Sequence, residues 1–126
     1  MAFPGVIKRS SFSKKKTARS GKHPSYIYGV SDAEGYAKGE AFWLHYKLNC
    51  DGDEVEYAEF FLNDTSNDRT DKLDRYLQEN GIFINSPEDL VGLEEVLTLE
   101  KQTRDGRSYL NVTDREFVGW KDRDGA

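Results

Sequence analysis

Apolar and polar side chains alternate along most of residues 26–117, and this period of two most strongly constrains the fold. The clearest run places four large apolar residues on one side of a predicted strand: Phe42, Leu44, Tyr46 and Leu48. Such alternation is typical of a strand with one buried face. Two Asp-Gly pairs, at 51–52 and 105–106, each separate two such runs, and Asp-Gly favours the two-residue type I′ turn of a β-hairpin. The pattern therefore predicts a mainly β protein with two hairpins.

Two other strands are less regular. The first is expected to place Tyr26, Tyr28 and Val30 on one side, with the two tyrosines in the core, whereas a role in stacking on bases is the alternative. In the third, residues 55–62, the apolar side changes after Tyr57, which predicts either a β-bulge or a strand buried on both faces.

One helix is predicted between the third and fourth strands. Residues 70–80 carry apolar side chains at helical spacing, and Asn80-Gly81 favours a left-handed cap. Ser86-Pro87 predicts a short helical turn after it. The resulting order, β-β-β-α-β-β, is that of the five-stranded OB barrel. An SH3-like barrel, or a twisted sheet with one packed helix, would share much of this pattern.

The charge is sharply divided along the chain, although the net charge is only −5. Residues 1–22 contain no acidic residue and seven basic ones: Lys8, Arg9, Lys14, Lys15, Lys16, Arg19 and Lys22. Residues 23–126 hold the other eleven basic residues and all 23 acidic ones, giving −12. We therefore predict a flexible, disordered basic arm (1–24), an OB-like β-barrel domain (25–120) and a short tail (121–126). Clustered cations favour contact with nucleic-acid phosphates, whereas a merely solubilising arm is the alternative.

Four residues of the body are further candidates for nucleic-acid binding. Trp43 and Lys47 lie on the side of the second strand opposite its apolar face, as a stacking platform for bases would. Trp43 could instead be covered by another segment, such as the one around Trp120. Arg104 and Arg107 flank the second hairpin turn, where a solvated tip would explain them equally well.

Catalytic and metal-binding patterns are missing from the sequence. It contains no P-loop, no Gly-x-Ser-x-Gly and no His-Glu-x-x-His, and it has one cysteine and two histidines. The acidic runs at 51–56 and 64–68 do not have the spacing of an EF-hand loop. We predict a protein that is not an enzyme and that binds no metal or cofactor. A single cysteine, and the lack of a signal peptide or a membrane-spanning run, point to the cytoplasm without a membrane partner.

The segment SPEDLVGLEEVLTLEKQTRDGRSYLNV, residues 86–112, resembles the closing half of small phage and mobile-element proteins that bind single-stranded DNA. The likeness extends back through DKLDRYLQENGI and covers about residues 39–119. It implies an OB-like fold, a single-stranded DNA-binding function and a second hairpin that reaches over the ligand.

Two functions remain open at this point, besides a phage structural or assembly role. The first is a non-enzymatic single-stranded DNA- or RNA-binding protein that uses the basic arm and the Trp43 face. The second is an inhibitor of the anti-CRISPR kind, which binds a host nuclease or ribonucleoprotein through the acidic body, with candidate contacts at Glu54, Glu56, Glu59, Glu94 and Glu95. The sequence does not indicate whether the nucleic acid would be DNA or RNA, nor the sequence preference or the oligomeric state.

Overall fold

The computed structural model describes residues 17–121, which form one antiparallel sheet of five strands and one α-helix. The strands are β1 (Gly21–Asp32), β2 (Ala41–Cys50), β3 (Asp53–Leu62), β4 (Leu93–Arg104) and β5 (Arg107–Trp120). Helix α1 (Asp68–Glu79) and a single 3-10 turn (Pro87–Leu90) connect β3 to β4. The predicted mainly β class and element order are confirmed. β1 begins inside the segment assigned to the arm.

The strands lie in the order β3-β2-β1-β4-β5, so that β1 is central and β3 and β5 are the two end strands. The second half of β1 pairs with β2, where Ser25 lies opposite Leu48. Its first half pairs with β4, where Gly21 lies opposite Leu99. A first strand shared between two hairpins is the arrangement expected of an OB-like domain.

Both predicted hairpin turns are confirmed by their backbone angles. Asp51 and Gly52 have φ of 55° and 92°, and Asp105 and Gly106 have φ of 53° and 76°. Two consecutive residues with positive φ define the type I′ turn, whose twist matches that of the strands it joins.

The core is built mainly on the predicted face of β2, where Leu44, Tyr46 and Leu48 are fully buried. The prediction for β1 was wrong: Ile27 is buried, whereas Tyr28 is 39% exposed and Tyr26 half-buried. A register shift between Ile27 and Gly29 explains the error, because the extra residue returns Val30 to the inner side.

The predicted bulge in β3 was also wrong. β2 and β3 pair without a register shift from Ala41 opposite Leu62 to Cys50 opposite Asp53. Val55, Glu59 and Phe61 are buried along one side of β3. The carboxylate of Glu59 therefore points inward, at a position where the alternation of apolar residues did not predict burial. The alternative of burial on both faces applies only near the end of β3, where Phe60 is half-buried on the outer side.

Helix α1 packs against the core through Thr70, Leu73 and Leu77. The Asn67 side chain caps its first turn by accepting hydrogen bonds from the backbone amides of Arg69 and Thr70. The Arg69 guanidinium donates to the Phe60 carbonyl, and the Thr70 hydroxyl donates to the Leu62 carbonyl. The helix therefore covers part of the free edge of β3, which limits pairing with other chains.

Candidate nucleic-acid interface

Three aromatic rings form a cluster on the outer face of the β2–β3 hairpin. Trp43 meets Phe60 edge-on with ring centroids 5.3 Å apart, and Tyr36, from the β1–β2 loop, lies 5.8 Å from Phe60. Trp43 is 36% exposed and Tyr36 is 48% exposed. Because the rings support one another and keep open faces, they form a preorganised apolar surface.

The predicted partner of Trp43, Lys47, belongs to a separate polar network on the same face. The Lys47 ammonium lies 3.1 Å from the Glu56 carboxylate and 4.7 Å from the centroid of the Tyr28 ring. The Tyr28 hydroxyl donates to the same carboxylate at 3.2 Å. The hydrogen bond to Glu56 raises the pKa of Lys47. The pKa of Tyr28 is raised mainly by burial and, to a smaller extent, by its hydrogen bond to Glu56. Lys47 is thus held by Glu56 and lies outside the cleft described below.

A second aromatic surface lies on the β4–β5 hairpin. Gln102 pairs with Tyr109 across the ladder, Glu100 pairs with Asn111, and Arg104 pairs with Arg107 at the turn. These alternate positions share one face of the hairpin. Tyr109 is 47% exposed, and the Asn111 side-chain amide donates to the Gln102 carbonyl oxygen at 2.6 Å.

An open cleft of about 930 Å³ brings the two aromatic surfaces together. It follows the gap between the end strands β3 and β5, with Trp43 and Phe60 on one side and Tyr109 on the other. Its lining includes four basic residues, Arg69, Lys72, Arg104 and Arg115, and four acidic residues, Glu59, Asp68, Glu79 and Asp114. Of the predicted nucleic-acid-binding residues that the structure describes, only Trp43 and Arg104 line this cleft.

The charges in the cleft are partly neutralised by ion pairs. Lys72 lies 3.3 Å from Asp68, one turn earlier on α1. Arg115 lies 2.6 Å from Glu59. Among the described residues Arg104 has no ion pair, and Arg69 donates only to a backbone carbonyl, so both can still meet an anion.

Below the cleft, a buried polar cluster joins β3 to β5, which share no ladder in the described sheet. The Arg115 guanidinium contacts Glu59 at 2.6 Å, the Tyr46 hydroxyl at 3.1 Å and Glu95 at 3.6 Å. At the surface end of the gap, the Tyr57 hydroxyl donates to the Leu110 carbonyl at 2.8 Å. Within residues 17–121, side chains therefore connect the two end strands.

One cation thus faces two carboxylates inside the domain, which leaves the cluster short of positive charge. Burial raises the pKa of Glu95 despite the nearby Arg115. Burial also raises the pKa of Tyr76, and it raises the pKa of Tyr57 to about 12. Neither carboxyl oxygen of Glu95 makes a hydrogen bond of good geometry among the described residues, and nor does the Tyr76 hydroxyl, although Tyr76 lies close enough to Glu95 to oppose part of the rise in its pKa. These environments favour a neutral Glu95.

The remaining predicted contacts lie elsewhere. Arg19 donates to the Cys50 carbonyl at 3.0 Å and pairs with Asp51 at 3.1 Å, which holds the start of the described chain at the β2–β3 turn. Lys22 is exposed on β1, and Arg107 is exposed beside the second turn. The five other arm residues, Lys8, Arg9, Lys14, Lys15 and Lys16, lie outside the described residues.

Sequence reasoning missed most of the cleft. Tyr109, Gln102 and Asn111 alternate around the Asp105-Gly106 turn, so the register of a two-residue hairpin could have placed them on one face with Arg104. Phe60 could have been found as the residue opposite Trp43. No local sequence signal identifies Arg69, because its position at the cleft depends on where α1 packs.

Neither a metal site nor a membrane-spanning helix is found in residues 17–121. No group of three or more His, Cys, Asp or Glu side chains is placed to hold a metal ion there. None of the helices in this part of the chain has the length and apolar character needed to cross a membrane.

No protein-family model matches the sequence, and no curated protein is significantly similar to it.

Proposed function

We propose that the protein binds single-stranded nucleic acid in the cleft between β3 and β5 and catalyses no reaction on it. The observation that carries this proposal is the placement of half-exposed Trp43 and Tyr109 on the two sides of one cleft, with Arg104 beside them. Unpaired bases expose their faces to such rings, whereas bases in a duplex are already stacked. The single cysteine favours action in a reducing compartment such as the cytoplasm.

Stacking and phosphate contacts are divided between two parts of the protein. Ion pairs neutralise much of the charge in the cleft, so its affinity would come mainly from the aromatic rings. The seven cations of residues 1–22 then supply most of the phosphate contacts, although Arg19 is already paired with Asp51. This division reconciles the −12 body with an anionic ligand, because the acidic surface need not contact the strand.

The proposal is tested by replacing Trp43 with alanine. We expect the affinity for a fluorescently labelled single strand of about 16 nucleotides to fall by about 1 to 3 kcal/mol, the usual contribution of one stacked base. Fluorescence anisotropy at fixed salt would measure the dissociation constant, and circular dichroism would confirm that the variant folds.

Trp120→Ala is the matched control. Trp120 is 44% exposed, close to the exposure of Trp43, but it does not line the cleft. Its replacement should leave the affinity unchanged. Equal losses in the two variants, or no binding by the wild type, would contradict the proposal.

The inhibitor of a host nuclease has weaker support. Of the five glutamates proposed to contact such a nuclease, Glu59 and Glu95 are buried beside Arg115, so neither presents a free charge at the surface. Exposed acids remain on the β2–β3 hairpin, including Glu54. A pull-down from host lysate, with and without nuclease treatment, separates the two functions, since a bound protein that survives the treatment would favour inhibition.

A further inference from the structure

The shared face of the β4–β5 hairpin carries three kinds of group that can contact a nucleotide. Gln102 and Asn111 lie toward the body, Tyr109 lies opposite Gln102, and the Arg104–Arg107 pair follows at the turn. Amides hydrogen-bond base edges, aromatic rings stack on base faces, and guanidinium groups pair with phosphates. One face of the hairpin therefore carries all three kinds of group that can contact a nucleotide.

The two amides are joined in a way that leaves complementary groups free. The Asn111 amide nitrogen donates to the Gln102 carbonyl oxygen at 2.6 Å, which fixes the two side chains relative to each other. The Gln102 amide nitrogen and the Asn111 carbonyl oxygen have no hydrogen-bond partner among the described residues. They offer a donor group and an acceptor group at the cleft. The edge of an unpaired base also carries donors and acceptors, which could pair with them.

Hairpin stability alone does not account for this pair. The backbone ladder already joins β4 to β5 from Leu93 opposite Trp120 to Arg104 opposite Arg107, and the turn is a favourable Asp-Gly. Gln102 is exposed and Asn111 half-buried, so water could satisfy both amides without the contact between them. The pair is therefore available for recognition.

We infer that Gln102 and Asn111 form a base-reading subsite, which gives the cleft a preference among unpaired nucleobases through their hydrogen-bonding edges while Tyr109 stacks on the base. This inference rests on the proposed single-strand binding and adds a specificity that stacking does not provide. Stacking is tolerant of sequence because every base has an aromatic face, whereas edge contacts distinguish one base from another.

The test uses four labelled single strands of about 16 nucleotides that differ only in a central trinucleotide of A, C, G or T, a length within the site size of an OB fold. We expect the full-length protein to show at least about a fivefold spread in dissociation constants, the lower limit for one good edge contact. Gln102→Met and Asn111→Leu preserve the approximate side-chain size but remove the hydrogen bonds, and each should shrink this spread. Tyr109→Ala should instead weaken all four complexes.

Thr103→Ala is the control, because Thr103 lies between Gln102 and Arg104 and so points to the opposite face of the same strand. It should leave the spread unchanged. Four equal affinities in the wild type, or an undiminished spread in both amide variants, would overturn the base-reading subsite while leaving single-strand binding intact. Failure of the wild type to bind any of the four strands would overturn both.

Discussion

At the residue scale, the carboxyl group of Glu95 is the clearest case of a side chain whose protonation is tied to folding. Its side chain is fully buried and 3.6 Å from Arg115, which is already paired with Glu59. Burial raises the pKa of Glu95 in the folded protein above its ordinary value of 4.5. The folded state therefore binds a proton more tightly than the unfolded chain does.

The Glu95→Gln variant should reveal this linkage. The stability contributed by the protonated group is fully present below pH 4.5 and is lost as the pH rises through the folded pKa. A neutral amide cannot ionise, so the variant does not lose this stability. The free energy of unfolding of Glu95→Gln should therefore increase relative to that of the wild type as the pH rises above 4.5. Urea denaturation at a series of pH values measures the difference.

Glu94→Gln is the control at the next position, where the side chain is half-exposed. Because water still reaches the Glu94 side chain, the difference between this variant and the wild type should change with pH far less than the difference for Glu95→Gln. If Glu95→Gln showed a constant difference, a proton held by Glu95 would be ruled out.

At the scale of the element, the two type I′ turns set the register of their hairpins. Gly52 has a φ of 92°, and an added Cβ there would meet no atom within 4 Å. Gly52→Ala should therefore cost about 1 to 2 kcal/mol from backbone conformation alone, with no steric clash. Thermal or urea denaturation measures this loss.

Gly29→Ala provides the comparison within β1. Its Cβ would also meet nothing within 4 Å, but its φ lies outside the left-handed region. Alanine there should be neutral or stabilise slightly, because it restricts the unfolded chain. A similar loss in both variants would show that the turn conformation is not the cause.

The sequence predicted the secondary-structure elements better than it predicted which face of each strand is buried. Both turns, the helix and the core side of β2 depend on nearby residues, so local patterns identified them. The outward position of Tyr28 depends on a bulge against β2, and the inward position of Glu59 depends on Arg115, 56 residues later in the chain. Trp43 could be assigned to the outer face, but its cleft required the packing of β5 near β3.

At the scale of the whole molecule, the separation of charge predicts how binding depends on salt. Lys14, Lys15 and Lys16 lie in a segment without acidic residues. Replacing all three with glutamine should make the slope of log K against log salt concentration shallower by about 2, since each phosphate contact to a single strand contributes about 0.7. Anisotropy titrations between about 50 and 200 mM salt give the slope.

The matched variant replaces Lys101, which is exposed on β4 and does not line the cleft, with glutamine. Its slope should remain that of the wild type. An unchanged slope in the triple variant would remove the arm from the phosphate contacts.

The shared position of β1 also has a consequence for synthesis on the ribosome. β1 and β2 leave the ribosome early, but the first half of β1 pairs with β4, and Gly21 lies opposite Leu99. Apart from Ser25 and Tyr26, which also pair with β2, that half has no strand partner until β4 has been made. The sheet is therefore completed only after β4 has been made. Until then the pair of strands β1 and β2 must avoid aggregation while the edge of β1 that later pairs with β4 is unpaired.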